Sequence, residues 1–216
     1  MAIAIILVFV ILALLIIGYW WRHYSLTCPA NLSWLVENPY VNAVASPDRL
    51  LQRLNIAEGM KILDVGSGPG RLTIPASLRI GNKGEVVALD IQDRMLEKLK
   101  RKIDNRPIHN IRLIHAGVGE GKLETDYFDR ALLVTVLGEI HDKHKALTEI
   151  YEALKSNGIL SITELIPDPH YTSRSHIRSL CAKAGFKESD SFGNWFCFTI
   201  NFVKPENQQQ NKSSGK

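Results

Sequence analysis

The chain has 216 residues, 45% of them hydrophobic, enough for one globular domain with a substantial core. Its formal net charge of +4 is too small an excess to argue for a nucleic-acid partner. Cys28, Cys181 and Cys197 are odd in number and show no CxxC spacing, which speaks against a disulfide framework and for reduced thiols.

Met1 to Trp21 contains no charged side chain. As a helix, Ala2 to Gly18 comes near the hydrocarbon thickness of a bilayer, at about 1.5 Å per residue. Tyr19, Trp20, Trp21 and Tyr24 form an aromatic belt at one end, followed by Arg22 and His23. A signal peptide would carry its basic residue before a shorter apolar run. Residues 1–24 are therefore expected to be an uncleaved, single-pass membrane anchor. The positive flank on its C-terminal side places the rest of the chain in the cytoplasm.

Residues 25–46 are expected to be a linker, with Asn38-Pro39 breaking any helix. Ser46 caps a helix that has Pro47 at its first position and Leu50, Leu51 and Leu54 on its apolar face. The globular domain is expected to cover 47–203.

Ile62, Leu63 and Val65 read as a buried strand that runs straight into Gly66-Ser67-Gly68-Pro69-Gly70. Glycine tolerates positive φ and leaves no side chain between the backbone and a ligand. Pro69 suits the first turn of the helix expected from Arg71 to Ile80. Backbone N–H groups at such a helix start, beside the carboxyl end of a strand, are where open α/β sheets bind ligands. Asp90 ends a second strand, from Glu85, about twenty residues downstream, the spacing of a ribose-binding acid. The third glycine falls one position short of the dinucleotide fingerprint, and Asp64 would repel a pyrophosphate. A ligand with a ribose, no phosphate and a cationic end fits better.

A helix follows over about Gln92 to Ile103, with Met95, Leu96 and Leu99 inward. Arg94, Lys98, Arg101 and Lys102 share its other face, either solvated or against anionic lipid. Ile111 to His115 is a third strand, followed by Ala116-Gly117-Val118-Gly119 and then Glu120. Ala131 to Leu137 is a fourth strand, and Gly138-Glu139-Ile140-His141-Asp142 lies past its tip. A helix from Lys143 to Lys155 stops at Asn157-Gly158, and Ile159 to Leu165 is the fifth strand. A last helix, capped by Thr172 or Ser173, ends near Gly185. Phe186 to Ser191 and Trp195 to Val203 make a terminal hairpin, and residues 204–216 are polar and expected to be disordered.

Asp64-Val65-Gly66-Ser67-Gly68-Pro69-Gly70 together with Val87-Ala88-Leu89-Asp90 resembles the paired motifs of class I S-adenosylmethionine-dependent methyltransferases. The resemblance covers roughly Pro47 to Val203. It implies a Rossmann-like α/β fold with a seven-stranded, mostly parallel sheet and an antiparallel last strand, here preceded by a transmembrane helix. It implies S-adenosylmethionine as cofactor, with Asp64 holding the methionine ammonium, often through water. Gly66, Ser67, Gly68, Pro69 and Gly70 would line the cofactor, and Asp90 and Ile91 its ribose side. The family usually has an acid after the third strand for the adenine amino group. Here that acid is missing or displaced, so Gly117 and Val118 would contact adenine through their backbones, and Thr135 at the fourth strand's tip would also border the cofactor. Segments before the first motif often form a lid, which makes Trp34, Glu37, Asn38 and Tyr40 candidates.

Methyl transfer from a sulfonium needs alignment and exclusion of water, and a base only when the acceptor starts protonated. Glu139, His141, Glu164 and His170 lie at the expected cleft edge and are the candidate catalytic residues, each with a bland alternative as a cap, ion-pair or loop residue. No metal site is expected, since spacing across these loops is unspecific. The anchor argues for a lipophilic small-molecule acceptor. The alternatives are a membrane-bound protein side chain, or a non-catalytic protein that keeps the cofactor fold.

Overall fold

The computed structural model describes residues 39–206 together with 6, 9, 12, 27, 29–31 and 37. Ser46 accepts from the Arg49 N–H and, with Pro47 next, starts a short helix in the way the capping residues dictate. Two short helices, α1 (Pro39–Val44) and α2 (Pro47–Arg53), precede the sheet. The strands are β1 (Lys61–Val65), β2 (Glu85–Asp90), β3 (Ile111–His115), β4 (Phe128–Val134), β5 (Leu154–Leu165), β6 (Lys187–Gly193) and β7 (Cys197–Val203). Between them run α3 (Thr73–Ile80), α4 (Asp93–Asp104), α5 (Lys143–Ala153) and α6 (Arg174–Lys183).

The strand order is β3-β2-β1-β4-β5-β7-β6. The first five run parallel, and β7 inserts antiparallel between β5 and β6. The order reverses between β1 and β4, so a crevice opens at their carboxyl ends. Period-two alternation sorts the central strands onto two faces. Leu63, Val65, Leu133, Leu160 and Ile162 join Leu147, Ile150, Ile177 and Cys181, beneath α5 and α6. Ile62, Val86 and Leu132 join Leu50, Leu51, Leu54, Ala76 and Ile80, beneath α2 and α3. Burial pushes the Cys181 thiol up to about 12, so it is inert packing.

Several element bounds differ from expectation for local reasons. Helix α3 starts at Thr73, because Gly70 sits at φ 89 and cannot be helical, so Pro69 belongs to the turn. Strand β4 stops at Val134, because Thr135 turns into the left-handed region at φ 56. Helix α5 ends at Ala153 and passes directly into β5, whose early part bulges around Asn157 at φ 63.

The expected single-pass membrane location is corrected. Among the described residues no helix is long and apolar enough to cross a membrane. The longest with given bounds, α4, has 12 residues, about 18 Å against roughly 30 Å of hydrocarbon. Residues 1–24, on which the expectation rested, lie outside the described residues apart from Ile6, Phe9 and Leu12. The cytoplasmic placement drawn from that run is withdrawn with it. Trp34, Asn38 and Cys28 also lie outside the described residues, as does the chain from 207. Of the tail, Lys204 is held, its Nζ donating to Asp126 and to the Leu154 carbonyl.

Candidate active site

The turn after β1 is pinned under β2. The N–H groups of Gly66 and Ser67 both donate to the Leu89 carbonyl, at 2.8 and 3.1 Å. Gly66 (φ 68) and Gly70 (φ 89) are pressed against Val136 and Leu99, so neither has room for a side chain. Gly68 (φ 53) is different, since a Cβ there would meet nothing within 4 Å. The turn is packed from behind at two glycines and open in front at the third.

Two carboxyl groups flank it. Asp90 ends β2 and accepts from the Gly68 N–H through one oxygen and the Gln92 N–H through the other, each at 2.8 Å. Each oxygen keeps a second lone pair for a ligand hydroxyl. Burial raises its pKa, opposed by those two amides and by His115. Asp64 is buried one residue before the end of β1, where Thr73 Oγ1 donates to it at 2.6 Å. Burial pushes it up to about 6, with Asp90 adding in the same direction and Thr73 and Arg71 opposing. Ser67 Oγ is buried with no hydrogen-bond partner. Ile91, beside Asp90, is 57% exposed, an aliphatic side chain left in the open.

Gly117 and Val118 lie on the loop after β3. The Glu120 carboxylate folds back towards Gly117, so close that a Cβ at 117 would stand 2.7 Å from its Oε1, and Ile91 lies on the same spot. An acid thus stands against the backbone of the loop directly after β3. The loop is held by Glu149 of α5, whose carboxylate accepts from the N–H groups of Gly119, Lys122 and Leu123.

The basic face of α4 is not simply solvated. Lys98 donates to the Ala30 carbonyl, and Lys102 donates to Glu37 and to the Pro69 carbonyl inside the turn. Arg71 donates to the Ala45 carbonyl and to Asn42. These cations draw the segment before the domain towards the glycine turn. Of the lid candidates, Glu37 takes part in this clasp, and Tyr40 is half exposed, edge-on to Phe196.

The remaining candidates lie at the tips of β4 and β5. Val134 pairs with Thr163, so Thr135 stands beside Glu164. A β-branched residue at positive φ is strained, on the order of 1–3 kcal/mol. Glu164 is 1% exposed, with neither oxygen in a full hydrogen bond and the Thr172 backbone N–H directed at it. Burial pushes it up to about 8, with Asp168 and Glu139 adding and Thr172 and Lys143 opposing. The loops after β4 and β5 touch where Gly138 meets the backbone of His170. Glu139 is therefore brought near Glu164, and His170 is buried on the neighbouring loop with its N–H donating to Asp168. His141 is exposed beside them. Among the described residues no group of His, Cys, Asp and Glu could hold a metal.

A sequence model of the family described as a methyltransferase domain matches residues 56–211. The chain belongs to that methyltransferase family. The domain is similar to a ubiquinone/menaquinone biosynthesis C-methyltransferase of Idiomarina loihiensis, 37% identical over 110 residues, which cover 50% of this chain and 44% of that one. It is 33% identical over 116 residues to a demethylmenaquinone methyltransferase of Staphylococcus saprophyticus, covering 54% and 49%. The chain thus spans about half the length of the curated relatives it matches. A SAM-dependent methyltransferase from Aquifex aeolicus shares the fold at TM-score 0.76 and 21% identity, over 82% of this chain and 99% of that one. S-adenosylmethionine is the cofactor of this methyltransferase domain.

The residues present fit that group. Open space at Gly68 admits it to the backbone, Asp90 has acceptor capacity left for a diol, and Ile91 offers an apolar surface. Asp64 is a buried acid that gains by meeting a cation. Glu149 and Asp168 were given no role from the sequence, and Lys102 was read only as part of a basic helix face. Glu149 left no local trace, since it lies on α5 while the loop it holds comes before β4.

Proposed function

We propose that this domain transfers a methyl group from S-adenosylmethionine to a ring carbon of a lipophilic quinol. Two buried acids facing an open glycine turn carry the cofactor half of this reading. Asp64 attracts the methionine ammonium, Asp90 accepts from the ribose hydroxyls, and the turn's main chain lies along the cofactor. Ile91, Gly117 and Val118 bound the adenine, with Glu120 as acceptor for its amino group. The bound sulfonium supplies an electrophilic methyl group whose leaving group is neutral, so the chain has to align the acceptor and exclude water.

The acceptor half rests on the names of the relatives at 37% and 33% identity and on Glu164, Glu139 and His170 beside the cofactor strands. A quinol carbon becomes a strong nucleophile only as its hydroxyl loses a proton, which gives those groups a task. Purified protein mixed with radiolabelled S-adenosylmethionine and a short-chain reduced naphthoquinone should release a labelled, carbon-methylated quinone. Label found only in amines, in phospholipid or in the protein itself would defeat the quinol reading while leaving the cofactor assignment intact.

A further inference from the structure

Glu164 is the buried group at this edge whose chemistry is unfinished. A carboxyl shut away from water with no donor beyond the Thr172 backbone N–H costs free energy, and natural folds keep such a group where it serves a site. Its position is constrained from both sides. It is the penultimate residue of β5, beside the strained turn at Thr135, under two loops that meet at Gly138 and His170. The charged groups facing it are Asp168, Glu139 and Lys143. Lys143 is itself directed at the carbonyls of Ile140 and Gly138.

We propose that Glu164 receives the acceptor's hydroxyl as a hydrogen-bond donor and takes its proton during methyl transfer. This rests on the quinol reading above. Burial among like charges brings the carboxyl to about 8, within roughly two units of a phenolic hydroxyl, against about six for an ordinary glutamate. The O–H bond breaks towards the ionised form of Glu164, whose share grows as pH rises towards about 8, and the bond's electron pair passes into the ring. The ring carbon forms the new C–C bond as the methyl–sulfur bond breaks. The proton on that carbon then leaves to water, and the ring oxygen recovers a proton from Glu164. One proton is released overall, and Glu164 ends as it began.

The test uses the full chain and its Glu164→Gln and Glu164→Asp variants. Infrared spectroscopy of the wild type at pH 7 should show a protonated-carboxyl band that fades above pH about 8, moves on adding the already methylated quinol, and is missing from Glu164→Gln. Calorimetry should give all three proteins the same affinity for S-adenosylhomocysteine within about twofold. Quinol methylation should fall by about 10²–10⁴-fold in Glu164→Gln, with partial recovery in Glu164→Asp.

Folding offers a control. A raised folded-state pKa stabilises below the ordinary carboxylate value, and that stabilisation is lost as pH rises through about 8. Glu164→Gln should therefore melt above the wild type in alkali and close to it in acid. Wild-type turnover and pH profile in Glu164→Gln, or a carboxyl band indifferent to the quinol, overturns the inference. A wild type that binds cofactor but methylates no quinol defeats the parent reading, and this one with it.

Discussion

At Asp64, burial favours the neutral acid while the ammonium proposed to bind beside it favours the anion. The group is pushed up to about 6, so it is mostly ionised at neutral pH and becomes protonated just below. A cation bound beside it stabilises the charged form, which means affinity is full above that value and declines as pH drops through it. Cofactor affinity of the wild type should therefore weaken towards tenfold per unit below pH about 6. Asp64→Asn should bind at least about tenfold more weakly at neutral pH, a loss of about 1.4 kcal/mol or more, with a flatter profile in acid. Calorimetry across pH 5–8 with S-adenosylhomocysteine checks both. A wild-type profile flat down to pH 5 would remove Asp64 from the ammonium site.

At the scale of elements, the loop after β3 depends on one side chain from α5. Glu149 accepts three consecutive-region amides, from Gly119, Lys122 and Leu123. Charge-assisted bonds of this kind contribute about 1.5–3 kcal/mol each to a buried carboxylate and less at a half-exposed one. Glu149→Ala should speed amide exchange across residues 117–123 and raise the KM for cofactor several-fold, with kcat nearly unchanged. Exchange mass spectrometry and steady-state kinetics would separate these effects from a general loss of stability.

This dependence also shows what a sequence can and cannot display. The glycine turn and Asp90 were legible because their spacing is local and each residue type has one physical reason to be there. The same holds for Ser46 with Pro47 and for the last hairpin. The early end of β4 was hidden, since a threonine at positive φ has no signature in its neighbours. The meeting of Glu164 with Asp168 and Glu139 was half visible, because it depends on how two loops settle against each other. The basic face of α4 misled for the same reason. Its partners, Ala30 and Glu37, lie 68 and 65 residues upstream of Lys98 and Lys102.

Over the whole molecule, the sheet reversal between β1 and β4 sets where everything converges. The proposed cofactor groups come from β1, β2 and the loop after β3, and the proposed acceptor groups from the ends of β4 and β5. A ligand spanning that crevice ties together strands from both halves, so binding and unfolding are linked. S-adenosylhomocysteine at about a hundred times its Kd should stabilise the fold by about 2.7 kcal/mol and raise the melting temperature by roughly 5–10 °C. A scan with and without ligand reads this directly, and no shift at saturating ligand would contradict the site.

One long-distance stitch has a bearing on how the protein comes into being. Arg53, at the end of α2, donates to Thr199 Oγ1 at 3.1 Å, and its own carbonyl accepts from Asn201 Nδ2 at 2.9 Å. Those partners emerge from the ribosome 146 and 148 residues later. The early helix can rest on β1 and α3 as they form, yet its final seat waits for β7, the last strand of the sheet in chain order. Nascent chains halted before that strand should therefore hold α2 without its partners on β7, and the sheet becomes complete only once that strand has emerged.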